Sequence, residues 1–333
     1  MSSSASVPVC SFFNNKGGVG KTTLVYHLAW MASDLGVKVL AVDLDPQANL
    51  TAACIDADRV ERLWEEPRQT IFGAISPLLA GTGDVQHVEA QQISSNLSLL
   101  AGDLRFASAE QEFAQQWPNA ADRQERAFRV LSAPARAIRD AARVVGAEVV
   151  LIDVGPSLGA INRVAMSTSD FVVVPLAPDL YSIQGLRNLG PSLRTWRKEW
   201  SERGEKNPAP GLWIPEGTMT PAGYVVLQHS VRVDRAVGAY DKWIRRIPFE
   251  YAESVLGEVG AGNVLAEQDD HCLGLVKHFH SLIPMAQEAR RPVFRLRSAD
   301  GAIGAHQQAV SRARSFFEEL TRTVLDRLGV HVP

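Results

Sequence analysis

Nine consecutive residues near the start of the chain carry the strongest chemical signal. Asn15-Lys16-Gly17-Gly18-Val19-Gly20-Lys21-Thr22-Thr23 gathers glycines, lysines and hydroxyls in one run. Glycines let backbone N–H groups turn toward an anion with no Cβ in the way. A helix opening at Lys21 would add the positive end of its dipole. Lys21 would then reach the β- and γ-phosphates of a nucleotide, and the Thr22 hydroxyl would ligate Mg²⁺. The ordinary phosphate loop, G-x-x-x-x-G-K-[ST], has glycine where this chain has Asn15, and here a second lysine, Lys16, opens the loop.

Two apolar runs end in carboxylates. Asp43-Leu44-Asp45-Pro46-Gln47-Ala48-Asn49 closes one, and Val149-Val150-Leu151-Ile152-Asp153 is the other. In a doubly wound sheet, carboxylates at the C-terminal ends of strands lie beside the phosphate loop. One can hold a metal's water shell and another can orient an attacking water. Asp153 fits the Walker B position, which holds Mg²⁺ through water.

The elements that must position these groups follow from periodicity. Residues 7–13 and 37–42 are short apolar runs, expected as buried strands. Between them Leu24, Leu28, Met31, Ala32 and Leu35 recur at helical spacing, and Gly36 is a plausible stop. Further strands are expected near 97–101, 148–154, 171–176, 224–227 and 272–277. Helices are expected near 121–145, 158–168, 182–200, 234–246 and 302–329. Strands alternating with helices predict an α/β fold, a doubly wound, mostly parallel sheet with helices on both faces. The chain reads as one domain over 1–333, with 201–222, rich in Pro, Gly and charge, as an exposed loop insertion.

Lys16–Thr23 resembles the deviant Walker A box of the ParA/MinD group of ATPases. Asp43–Asn49 looks like the ParA branch, and the segments 170–175 and 181–186 are also similar to it. The resemblance covers about 7–190 well and 223–329 loosely. It implies ATP and Mg²⁺ as cofactors, with Lys21 at the phosphates, Asp45 as the catalytic carboxylate and Asp43 in the metal shell. It implies that Lys16 reaches into the partner subunit's nucleotide, so that a homodimer closes over two ATP molecules. It places the base pocket at Gln228 and in Ile283-Pro284-Met285. The family usually continues its Walker B strand with Thr-Pro-Pro-Ser, whereas this chain has Val154-Gly155-Pro156-Ser157, and Gly155 is expected to loosen that switch segment. Such proteins bind DNA non-specifically and answer to a ParB-like activator that accelerates slow hydrolysis. They thereby position a plasmid, a chromosome region or other cargo.

Charge agrees with a polyanion surface in the second half. The formal net charge is −3 overall; residues 1–186 carry −6 and residues 187–333 carry +3. Three basic runs stand there: Arg290, Arg291, Arg295 and Arg297; Arg187 to Arg203; and Arg232 to Arg246. The first is the expected DNA face. Cys10, Cys54 and Cys272 are too few and too scattered for a disulfide framework, and the start has no secretory pattern, so the expected place is the cytoplasm, on the nucleoid. No membrane span is expected. Two alternatives remain. A MinD-like protein would use the C-terminal helix as a membrane anchor, but its polar face mixes arginines with Glu318, Glu319 and Asp326. A redox ATPase like the nitrogenase iron protein would need paired cysteines for a cluster. His271, Cys272, His278 and His280 fit no zinc spacing, and His278 and His280 are expected to be surface residues.

Overall fold

The computed structural model describes residues 7–66, 68–227, 242–260, 262, 264–277, 279 and 281–333. Three adjacent strands form the centre. The run Val9–Phe12 is β1, Val39–Asp43 is β2 and Val149–Asp153 is β5. They pair in parallel in the order β2-β5-β1, so Asp43 lies opposite Asp153, and Phe12 opposite Asp153 on the other side. The functional end of each strand therefore finishes on one row. The loops that follow, from residues 13, 44 and 154, must converge there.

Around this centre the sheet has eight strands, ordered β3-β4-β2-β5-β1-β6-β7-β8. Here β3 is Gln91–Gln92, β4 Leu97–Leu100, β6 Phe171–Leu176, β7 Thr220–Leu227 and β8 Cys272–Val276. All neighbours are parallel except the short edge pair of β3 with β4. Strands buried on both faces need apolar residues at every position. In β5, Val150 and Ile152 enter one core while Val149 and Leu151 enter the other.

The helix Lys21–Asp34 (α1) covers the second of these faces. It packs there with the C-terminal helix Ala305–Arg327, which buries Ala313, Phe317, Leu320, Val324 and Leu325. That helix therefore spends its apolar stripe on its own sheet. The opposite face is covered by Ile71–Leu79 (α4), Ala109–Ala121 (α5), Glu125–Leu131 (α6), Ala133–Val145 (α7), Ala160–Ser167 (α8) and Leu180–Gly204 (α9). Between β2 and α4 lie the short helices Asn49–Cys54 (α2) and Ala57–Glu65 (α3).

The 201–222 stretch joins α9 to β7: its first residues finish the helix, and its last begin the strand. Leu212 and Ile214 pack on the core, and the Trp200 indole N–H donates to the Pro215 carbonyl at 2.9 Å. Among the described residues, no helix is long and apolar enough to cross a membrane. The part of the expected helix 234–246 up to residue 241, His278 and His280 lie outside the described residues.

Candidate nucleotide site

The loop after β1 is shaped by its glycines. Gly18 and Gly20 have φ of 72° and 88°, the left-handed region that favours glycine. Gly20 is the N-cap of α1, with no side-chain cap, so the first N–H groups of α1 are left for a ligand. Val19 anchors the loop from below, 1% exposed. Asn14 braces its other end: its Oδ1 accepts the Lys16 N–H at 2.9 Å, and its Nδ2 donates to the Pro175 carbonyl at 2.6 Å.

A cavity of about 680 Å³ opens on this loop. Gly17, Gly18, Gly20, Lys21, Thr22 and Thr23 line one wall, and Asp45, Gln47 and Asn49 line another. Lys21 is 6% exposed, and among the described residues its ammonium donates only to the Lys16 carbonyl, at 3.3 Å. Burial lowers its pKa, while Asp153 and Asp45 pull it back up. A buried ammonium with one carbonyl partner is short of acceptors.

The carboxylates divide the work. Asp153 is fully buried, and among the described residues neither of its oxygens has a hydrogen-bond partner. Desolvation, and then the nearby Asp43 charge, raise its pKa well above the usual range; Thr22 and Lys21 oppose this. A carboxylate in that condition calls for a cation. With the Thr22 hydroxyl beside it, the donors are hard oxygens, which suit Mg²⁺.

Asp43 is different from the expected metal-shell residue. Its Oδ2 accepts the Thr51 N–H at 2.8 Å and the Thr51 hydroxyl at 2.7 Å, and its Oδ1 accepts the Asp45 N–H at 3.2 Å. Burial pushes its pKa up to about 7, against the pull of Thr51. Asp43 thus stands behind the site and fixes the turn that carries Asp45. Asp45 faces the cavity, and its Oδ1 accepts the Gln47 N–H at 2.9 Å.

The switch segment is held more firmly than Gly155 suggests. The Asn162 amide donates to the Gly155 carbonyl at 2.7 Å and to the Ser157 carbonyl at 2.6 Å. Glu110 accepts the Ala160 and Ile161 N–H groups at the start of α8. A Cβ on Gly155 would sit 3.3 Å from Asp45 Oδ1, so glycine here gives the carboxylate room.

Lys16 does not line its own cavity. Its ammonium pairs with Asp179, the N-cap of α9, and lies 5.6 Å from the centre of the Tyr181 ring. In the expected base region Ile283 lines the cavity, joined by Ala286 and Gln287 one turn on. Pro284 is exposed and outside the lining, and Met285 packs toward Gly301. Gln228 lies outside the described residues.

The basic runs also separate. Arg290 and Arg291 line the cavity, and Arg291 pairs with Asp300 at 3.0 Å. Arg295 pairs with Asp34 and stacks on Trp30; Arg297 is exposed. Elsewhere Arg187 and Arg246 converge on the single carboxylate of Glu250, leaving that cluster net positive. Lys242 and Arg245 are exposed beside it.

Sequence reasoning missed Thr51, Asn162, Glu110 and Asp179. Glu110 and Asp179 act on residues 50 and 163 positions away, while Thr51 and Asn162 act within five to eight positions but at no spacing that marks a motif. Gly185 left a signal, within the segment 181–186. A Cβ there would be 2.9 Å from Asn15 Oδ1, so α9 can approach the phosphate loop only through glycine.

The family model described as an AAA domain matches residues 7–204, more than half of the chain. The "Sporulation initiation inhibitor protein Soj" of Bacillus subtilis is 29% identical over 191 residues, covering 57% of this chain and 66% of that protein. The "Chromosome partitioning protein ParA" of Caulobacter vibrioides is 29% identical over 204 residues, covering 60% and 65%. The chain thus spans less than two thirds of these relatives. Among solved structures, a Corynebacterium diphtheriae protein superposes over 96% of this chain and 98% of its own, with a TM-score of 0.68 at 22% identity. A putative plasmid partition protein of Borrelia burgdorferi bound to AMPPNP gives 0.55 at 16% identity, covering 96% and 98%. These likenesses match the eight-stranded, mostly parallel sheet. By its matching family and relatives, the chain belongs to the ParA-type partitioning ATPases of the ParA/MinD family.

Proposed function

We propose that the chain is an ATP-dependent, dimerising switch that binds DNA non-specifically and positions a plasmid, a chromosome region or another cargo. The observation that carries this reading is a pair of unmet needs at the phosphate loop, one on the cavity wall and one fully buried. Lys21 is buried and short of acceptors, and Asp153 is buried and short of donors. A nucleotide's phosphates would complete the first, and a hydrated Mg²⁺ the second.

In this reading the N–H groups of the loop and of α1 hold the phosphates, with Lys21 on the outer ones. Thr22 and Asp153 would hold Mg²⁺, which supplies charge neutralisation at the phosphate oxygens when bound. Asp45 accepts a proton from, or orients, the attacking water. Asp43 and Thr51 keep Asp45 in place. The activity is ATP hydrolysis to ADP and phosphate, slow until a ParB-like activator engages.

Lys16 supports the dimer. Its ammonium sits outside its own cavity, on Asp179, where a second subunit could receive it. The positive second half supplies the DNA contact; the exposed Arg297, Lys242 and Arg245 are candidates for it. The protein would act in the cytoplasm on the nucleoid. The experiment is nucleotide-dependent DNA co-sedimentation with the purified chain. Binding with Mg-ATP, and release once it is hydrolysed, is expected. DNA binding that ignores nucleotide would overturn the switch.

A further inference from the structure

The cavity wall that includes Ile283, Ala286 and Gln287 ends in a strained residue. The helix Leu282–Ala289 stops at Arg290, whose φ and ψ are 47° and 46°. The Arg291 N–H donates back to the Ala286 carbonyl at 3.0 Å, and the Arg290 N–H to the Gln287 carbonyl at 3.3 Å. This is the helix-ending turn in which glycine is the residue that fits. An arginine there carries backbone strain that its side chain does not relieve locally, and such strain concentrates at functional positions. Arg290 is exposed and lines the cavity, with Arg291 held beside it by Asp300.

The turn is also fixed relative to the phosphate loop. Beyond Pro292, the Val293 N–H donates to His27 Nε2 at 3.1 Å, and His27 Nδ1 donates to the Thr23 carbonyl at 2.7 Å. This assigns His27 one neutral tautomer, and burial lowers its pKa to about 4. His27 stacks on Phe317 with 4.7 Å between ring centres. The arginines therefore stand at a set place over α1. Asp56, the N-cap of α3, has its pKa lowered chiefly by the Arg59 N–H, with the charge of Arg290 among the lesser causes. Arg290 is thus within electrostatic reach of the α2–α3 side of the cavity.

We infer that Arg290, steadied by Arg291, is a phosphate-binding residue of the nucleotide cavity: a second cationic arm, beside Lys21, that meets the bound nucleoside triphosphate from the wall of Ile283, Ala286 and Gln287. This rests on the nucleotide reading above. It removes Arg290 and Arg291 from the DNA surface.

The test is titration of Mg-ATP and Mg-ADP into wild type, Arg290→Gly, Arg290→Lys and Lys21→Ala, without DNA, beside thermal melts of each. Glycine relieves the left-handed strain, so Arg290→Gly should melt no lower than wild type. It should still weaken ATP binding about tenfold, and ADP binding less, because a charge-assisted contact is lost. Arg290→Lys should recover part of the affinity. Wild-type ATP affinity in Arg290→Gly, with Lys21→Ala defective, would overturn this inference alone. Intact ATP affinity together with lost DNA co-sedimentation, read for Arg290→Gly in a parallel assay, would also overturn it, returning the arginine to the DNA face. Wild-type affinity in both variants would bring down the nucleotide reading as well.

Discussion

Replacing Lys21 by alanine tests the cavity at its most constrained atom. Lys21 is 6% exposed, and among the described residues its ammonium has one hydrogen bond, to the Lys16 carbonyl at 3.3 Å. An incoming phosphate gives it the acceptors it lacks. A charge-assisted contact of this kind contributes about 1.5–3 kcal/mol. At 1.4 kcal/mol per factor of ten, Lys21→Ala should weaken ATP binding by roughly 10- to 150-fold. Calorimetry reads this directly, and the thermal shift given by a fixed excess of Mg-ATP should shrink in step. The pH dependence adds a second signature. Burial lowers the Lys21 pKa from 10.5, and bound phosphate favours its charged form. Wild-type affinity should therefore fall on the alkaline side at a pH below the ordinary lysine range, and the variant should lack that fall. Equal affinity in wild type and variant would refute the phosphate assignment.

Other expectations concern the carboxylates. Asp45→Ala should keep ATP affinity within about twofold while kcat falls by about a hundredfold or more, read by phosphate release. Asp43 and Asp153 have folded-state pKa values raised above the unfolded 3.8, that of Asp43 to about 7. Between those values the folded chain holds more protons, so ligand-free stability is fully present below 3.8 and declines as pH rises toward 7. Asp153→Asn should flatten that decline in melts across pH 4–8, and an unchanged slope would count against a buried, unpaired carboxylate. Gly102→Ala would place a Cβ 2.9 Å from the Asp43 carboxyl carbon. It should cost about 1–3 kcal/mol by overpacking and lower kcat by disturbing the Asp45 turn, measured by denaturant melts and turnover.

Much of the site is local in sequence, and that part was legible. The phosphate loop, Asp45 and Asp153 sit at strand ends, where apolar runs and glycine spacing mark their context. The parallel sheet follows from the same alternation. Other features depend on contacts between distant segments. The short helices α2 to α4 lack long periodicity, and the last wall of the cavity comes from residues more than 250 positions after the loop. The run Arg290–Arg297 looks uniformly basic in one dimension. In the fold its members part: two face the cavity, one pairs with Asp34, and one is exposed. Likewise Asp43 and Asp45 are two residues apart, yet Thr51 turns one inward and leaves the other facing the cavity.

The central claim, a nucleotide-driven dimer with Lys16 acting across it, is tested most directly by sedimentation equilibrium with Mg-ATP and with Mg-ADP. Wild type and Asp45→Ala should be dimeric with Mg-ATP and monomeric with Mg-ADP. Lys16→Ala should remain monomeric with Mg-ATP, although Lys21 and Thr22 still bind the nucleotide. A Lys16→Ala chain that dimerises like wild type, or a wild type that stays monomeric at saturating Mg-ATP, would contradict the account.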